Sequence, residues 1–189
     1  MHPNALQTFI DATRAAWGPL SSPVVASVRQ SLQTLIGAPP SDAWLAHLLT
    51  TAPAHAELYR DPEHGFVLLT HTEQSGQYRP PHDHGRSWVI YAVQHGTVEM
   101  GTYARSESPQ GSVRLVQRDR TILRAGDVQV YLPGDIHDTR CLSPSALLFR
   151  FTERDLQIED QQEHRVTRYV QQGDVWTPRT TCPARPGPC

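Results

Sequence analysis

The stretch Gly76-Gln77-Tyr78-Arg79-Pro80-Pro81-His82-Asp83-His84-Gly85-Arg86-Ser87-Trp88-Val89 decides how the rest of the chain is read. In an extended strand, side chains alternate between faces, and residues two apart stand about 6.6 Å apart along the chain. The imidazoles of His82 and His84 can therefore converge on one ion while Asp83 points away. This alone is half a site. For an isolated His-x-His the default reading is two strand histidines hydrogen-bonded on a polar face.

Around this stretch the chain has two textures. From Gly65 onward, short runs rich in Val, Ile, Leu, Tyr and Phe are separated by Gly, Pro, Asp and Ser: 66–72, 87–94, 97–104, 112–118, 121–124, 127–132, 137–141, 145–151 and 165–170. Many short strands at this spacing predict a barrel or a sandwich. Before them, Leu6, Phe9, Ile10, Ala16 and Trp17 recur at helical spacing, as do Val25, Val28, Leu32, Leu35 and Ile36 between Ser22-Pro23 and Gly37. A third short helix is expected from Ser41, with Trp44, Leu45, Leu48 and Leu49 on one side. Residues 1–50 thus read as two or three amphipathic helices covering a sheet within one domain, and 51–176 as the barrel. The Pro-rich tail 177–189 has nothing to bury and is expected to be disordered.

A second segment turns the half-site into a motif: Gly126-Asp127-Val128-Gln129-Val130-Tyr131-Leu132-Pro133-Gly134-Asp135-Ile136-His137. The two segments together resemble the paired motifs of the cupin superfamily. Residues 76–96 fit its first pattern, Gly-x5-His-x-His-x4-(Glu)-x6-Gly, and residues 126–137 fit its second, Gly-x5-(Pro)-x-Gly-x2-His. The resemblance covers about residues 65–151 and implies a mainly β fold, a double-stranded β-helix or jelly-roll barrel. It also implies metal ligation by His82, His84 and His137. Two positions depart from the pattern: Leu132 stands at the motif proline, with Pro133 one later, and Val89 stands where a fourth ligand, a glutamate, is usual. Three neutral imidazoles leave the full charge on a divalent ion and positions open for other ligands, but imidazole suits iron, copper, zinc or nickel.

Among three-histidine cupins the chain looks most like the thiol dioxygenases, through Leu58-Tyr59-Arg60-Asp61-Pro62-Glu63-His64-Gly65-Phe66, the run Pro-His-Asp-His-Gly and Trp88. That resemblance implies Fe(2+) as cofactor, a small-molecule substrate and O2 as partners, and oxidation of a thiol to a sulfinate. It places a substrate-clamping arginine near Arg60. The family's Ser-x-His-x-Tyr triad falls, by alignment through Pro144, on Leu147, Phe149 and Phe151, and the cysteine that some members cross-link to the tyrosine falls on Val89. Strand parity from Val89 sends Tyr91 and Val93 inward. The expected pocket is therefore Val89, Tyr91, Val93, Leu147, Phe149 and Phe151, with Tyr91 and Arg60 as candidate catalytic residues. Such an apolar pocket keeps open a dioxygenase that cleaves carbon–carbon bonds in a diketone or hydroxylated aromatic ketone. A non-catalytic metal-binding cupin is the further alternative.

The remaining composition is restrictive. With 17 basic and 19 acidic side chains in 189 residues, the net charge is −2, and no Lys/Arg block suits nucleic acid or an anionic membrane. The start of the chain lacks the features of a secretory signal, and no stretch approaches a membrane span. Cys141, Cys182 and Cys189 form no even disulfide framework. A cytoplasmic protein is expected. Of the other histidines, His2, His47, His55, His64 and His164 read as surface residues, His95 as a turn residue, and His71 as either an outward strand residue or a partner to a ligand.

Overall fold

The Asn4 side chain accepts the amide of Gln7 and so caps α1 (Ala5–Ala16). Pro23 in the first turn starts α2 (Ser22–Ile36), which stops at Gly37. The third helix, α3 (Ala43–Thr51), begins two residues later than the sequence suggests. In this computed structural model, which describes residues 4–173 and 175–179, eleven strands follow. They are β1 (Ala56–Arg60), β2 (Val67–Gln74), β3 (Tyr78–His82), β4 (Val89–His95), β5 (Thr97–Glu107), β6 (Val113–Arg124), β7 (Val128–Tyr131), β8 (Ile136–Cys141), β9 (Ser145–Thr152), β10 (Tyr169–Gln172) and β11 (Val175–Pro178). A π-helical turn, Ile158–Gln162, lies between β9 and β10.

The pairing of β2 to β9 is nested. β2 pairs with β9, β3 with β8, β4 with β7 and β5 with β6, all antiparallel, as in one long hairpin folded over on itself. The hairpin closes because β9 also pairs with β4, and β8 with β5. Two sheets result, β1-β2-β9-β4-β7 and β3-β8-β5-β6. This is the jelly-roll topology of the cupin double-stranded β-helix.

Strand alternation then sorts the side chains. On one face of the larger sheet, Phe66, Leu68, Trp88, Ile90, Ala92, Leu147, Phe149 and Phe151 pack against Phe9, Ile10, Val28, Leu32, Leu35 and Leu45 of the three helices. On the other, Val89, Tyr91, Val93, Ala146 and Leu148 meet Val98, Met100, Leu123, Tyr131 and Cys141 inside the barrel. β4 is buried on both faces from Val89 to Val93, which is why its sequence shows no polar alternation. The helices are also fastened electrostatically. Asp61, buried in the β1–β2 turn, accepts Arg14 Nε at 2.6 Å, the Tyr59 hydroxyl at 3.0 Å and the amides of Glu63 and His64. Burial alone would raise its carboxyl; these donors outweigh it and hold the group down at about 2. Gly96 has φ +85 at the β4–β5 turn, and a Cβ there would sit 2.7 Å from Ala146 Cα, so the motif glycine is sterically required.

Several expectations need correction. The runs 112–118 and 121–124 form one strand, β6, with an irregularity opposite Thr102 and Tyr103. β1 was not expected. Residues 165–167 are not strand, and Arg168 makes only an isolated bridge to His82. Thr177 and Pro178, assigned to the tail, end β11; residues 180–189, with Cys182 and Cys189, lie outside the described residues. No helix among the described residues is long and apolar enough to cross a membrane.

Candidate metal centre

His82 is the last residue of β3 and His137 the second of β8, opposite each other in register, while His84 lies two residues past β3 in the turn toward β4. Only one of the His82–His84 pair is therefore on a strand, and the turn rather than the pleat brings them together. The ligand nitrogens of His82, His84 and His137 all lie within 4.8 Å of one another. The Nε2 atoms of His84 and His137 are 3.4 Å apart. Donors around one ion at about 2.1 Å would stand about 3.0–3.4 Å apart, so the cluster fits a transition metal after a small contraction. His82 Nδ1 lies 2.9 Å from the carbonyl of Pro80, a contact that directs its Nε2 to the cluster. Tyr131 stacks on the His137 ring at 4.0 Å and fixes its plane. Burial lowers the pKa of all three imidazoles, assisted at His84 and His137 by neighbouring histidines. They are neutral at pH 7, with lone pairs free to bind a metal.

His82 and His84 line a cavity of about 520 Å³, and His137 stands fully buried behind them. Its walls include Tyr91, Leu148, Arg150, His71 and the Glu73–Arg79 pair, and Leu156, Gln157, Asp160, Gln161 and Arg168 of the segment after β9 also line it. Tyr91 is buried, with its hydroxyl 3.5 Å from His84 Nε2. Arg150 stands opposite Tyr91 across the β4–β9 pair. Its Nε is buried without a hydrogen-bond partner. The acids around it are engaged: Glu73 with Arg79 at 2.7 Å, Asp160 with Arg168 at 2.6 Å, and Asp83 with two backbone amides. Among the described residues two arginines on the cavity wall, Arg150 and the exposed Arg179, have no carboxylate partner, and Arg150 is the one whose Nε is buried. His71, only 8% exposed, is pushed down to about 2 by burial and by Arg150, Arg79 and His55.

The remaining site expectations divide. Leu147, Phe149 and Phe151 do not line the cavity: their register partners across β4 are His95, Ala92 and Ile90, and their side chains join the cluster beneath the helices. The interior positions of β9 are Ala146, Leu148 and Arg150, so the inferred parity of β9 was off by one residue, which inverts a whole strand. Val89 and Val93 do face the barrel interior with Tyr91 but are not among the lining residues. Arg60 lies on β1, paired with Glu57 at 2.7 Å and Asp155 at 2.6 Å, and does not line the cavity. Sequence reasoning missed Arg150 and Tyr131. A charged residue inside the apolar run Ala146–Phe151 was the available signal for the first, since such a charge must face either water or a site.

The fold and the site define a class: a cupin-type β-barrel with a three-histidine cluster, two of whose members line a cavity. No protein-family profile matches the chain, and no curated protein matches it either. Solved structures similar to it include the cupin domain of Schizosaccharomyces pombe Cnp3, at 12% identity and TM-score 0.43, spanning 58% of this chain and 69% of that one. KdgF from Halomonas sp. aligns at 20% identity and TM-score 0.42 over 53% of this chain and 78% of its own. An oxalate oxidase in complex with glycolate aligns at 20% identity and TM-score 0.41, over 53% of this chain and 51% of its own.

Proposed function

We propose that the protein is a three-histidine iron(II) dioxygenase that oxidises the thiol of a small carboxylic acid to a sulfinate. The observation that carries this reading is the pairing of three neutral imidazoles, with no carboxylate at the fourth position, with the unpartnered Arg150 guanidinium in the cavity that His82 and His84 line. Iron(II), when bound, would supply dioxygen activation and an anchor for a thiolate. The balance is simple: one thiol and one O2 give one sulfinic acid, both oxygen atoms ending on sulfur, which loses the four electrons that O2 gains.

The chain's own residues would divide the work. His82, His84 and His137 hold the ion. Arg150 receives the carboxylate through a bidentate pair and so fixes which end of the substrate faces the histidines. The Tyr91 hydroxyl, 3.5 Å from His84 Nε2, is placed to hold or pass a proton beside the reacting sulfur. Leu148 and Leu156 give the cavity an apolar wall that limits water. Because its acids are already paired, the cavity offers no ready partner for a substrate ammonium, which favours mercapto acids over amino acids. Cytoplasm, where small thiols stay reduced, is the compartment that suits this substrate.

The carbon–carbon-cleaving alternative drew on an aromatic pocket from Phe149 and Phe151. Those rings face the helices, so that support falls away. Oxygen uptake by iron(II)-reconstituted protein, measured with a short mercapto acid, its primary amide and a β-diketone, tests the proposal. Uptake with the acid, weak uptake with the amide and a product gaining both oxygen atoms are expected. Uptake with the diketone alone would replace the proposal, and bound iron without uptake would indicate a binding barrel.

A further inference from the structure

The segment after β9 returns across the turn that carries His84. Glu159, in the π-helical turn, is only 2% exposed. Its Oε2 accepts the amide of Arg86 at 3.1 Å, and its Oε1 lies 3.5 Å from both Arg154 and Arg165. The approach is possible because residue 85 is glycine. Gly85 has φ +61, and a Cβ there would lie 2.5 Å from the Glu159 carboxylate and 3.1 Å from Arg165. A few residues on, the same segment grips the other side of the turn. Asp83 Oδ1 accepts the amides of Thr167 at 2.8 Å and Gly85 at 3.1 Å, the Asp83 amide donates to the Thr167 carbonyl at 3.0 Å, and His82 bridges to Arg168.

The five residues from His82 to Arg86, with two of the three candidate ligands, are thus clasped by residues 159–168. Those residues also roof the cavity, through Asp160, Gln161, Val166 and Arg168, with Leu156 and Gln157 just before them. The connection between the two grips is unusual backbone. It holds an i+5 hydrogen bond from the Glu163 amide to the Ile158 carbonyl, and His164 has φ +50, a region that non-glycine residues seldom occupy. Raising the roof would break the bonds that position the turn, and displacing the turn would loosen the roof.

We propose that residues 155–168 are a lid latched to the ligand-bearing turn by Glu159 and Asp83, so that closing the cavity and setting the positions of His82 and His84 are one event. Glu159 is the positioning residue in this arrangement; it touches neither metal nor substrate. The inference rests on reading the three histidines as a metal centre, but not on which reaction follows.

Thermodynamic reciprocity supplies the test: if the lid positions the ligands, metal must stabilise the lid. Zinc(II), which is redox-inert, serves as probe on the full chain, with site-resolved amide hydrogen exchange as readout. Zinc should slow exchange at Arg86, Arg165 and Thr167 by about tenfold or more and leave the β5–β6 turn at residues 108–112, beyond the pairing of β5 with the ligand strand, unchanged. Glu159→Ala should cut that slowing to under about twofold and weaken zinc binding about tenfold. Glu159→Gln, which retains an acceptor for the Arg86 amide, should preserve most of both. Stoichiometric zinc with no slowing in the lid of the unsubstituted protein overturns the latch, and that comparison stands even if Glu159→Ala fails to fold. Equal zinc affinity and equal slowing in Glu159→Ala and the unsubstituted protein also overturn it. Failure of zinc to bind at all is read separately, by stoichiometry, and refutes the metal centre on which both readings depend.

Discussion

Arg150 and Arg60 divide between them what the sequence assigned to one residue. A guanidinium that bonds a substrate carboxylate must face the cavity with its donors free, and that describes Arg150; Arg60 already satisfies its fork on Glu57 and Asp155 at the start of the roof. A charge-assisted pair contributes about 1.5–3 kcal/mol. Arg150→Met should therefore lower kcat/KM for a mercapto acid by about 10- to 150-fold and leave an uncharged thiol nearly unaffected. Arg60→Ala should lower activity on both thiols alike or on neither. Steady-state oxygen uptake with the acid and its amide gives both ratios, and an Arg150→Met enzyme with unchanged discrimination would remove the carboxylate from the proposal. The histidines at the centre were legible as residues because a turn-rich motif fixes their spacing. Arg150 was not, because its meaning depends on a strand's parity, which no local pattern in a strand buried on both sides reveals.

At the scale of elements, β9 is the instructive case. Its run Ala146-Leu147-Leu148-Phe149-Arg150-Phe151 has apolar side chains on both faces, since one side meets the barrel interior and the other the helices. Aligning it through Pro144 set the wrong face inward, and the β9 half of the inferred pocket went with it, while Tyr91 on β4 does line the cavity. Phe149, fully buried and edge-on to Trp44 at 6.1 Å, belongs to the helix–sheet interface. Phe149→Ala should then cost about 3–5 kcal/mol of stability in urea unfolding while metal stoichiometry stays unchanged. A loss of metal without loss of stability would return Phe149 to the site. The helices were readable from 3.6-residue periodicity and their Pro and Gly boundaries. β1 was not, because its mixed sequence Ala-Glu-Leu-Tyr-Arg has neither a clear alternation nor an apolar run.

For the molecule as a whole, four interior histidines, the buried His71, His84 and His137 and the half-buried His82, set the pH response of the metal-free protein. Each has a folded pKa below the ordinary value of about 6.5, so the unfolded chain takes up protons first as pH falls. The stability they permit is complete above about pH 6.5 and declines below it, by up to about 1.4 kcal/mol per pH unit for each such group. Urea midpoints of metal-free protein should be flat from pH 8 to 7 and drop steeply toward pH 5. A midpoint that rose on acidification would contradict the buried, neutral cluster. The nested pairing of β2 to β9 explains why the two motif segments, some fifty residues apart in sequence, meet in one place: β3 and β8 are partners, and His82 and His137 are paired in their register. The most direct measurement is therefore metal content after anaerobic reconstitution with iron(II), comparing the unsubstituted protein with His137→Ala. One iron per chain in the former and almost none in the latter is the predicted result; equal iron in both would contradict the three-histidine centre.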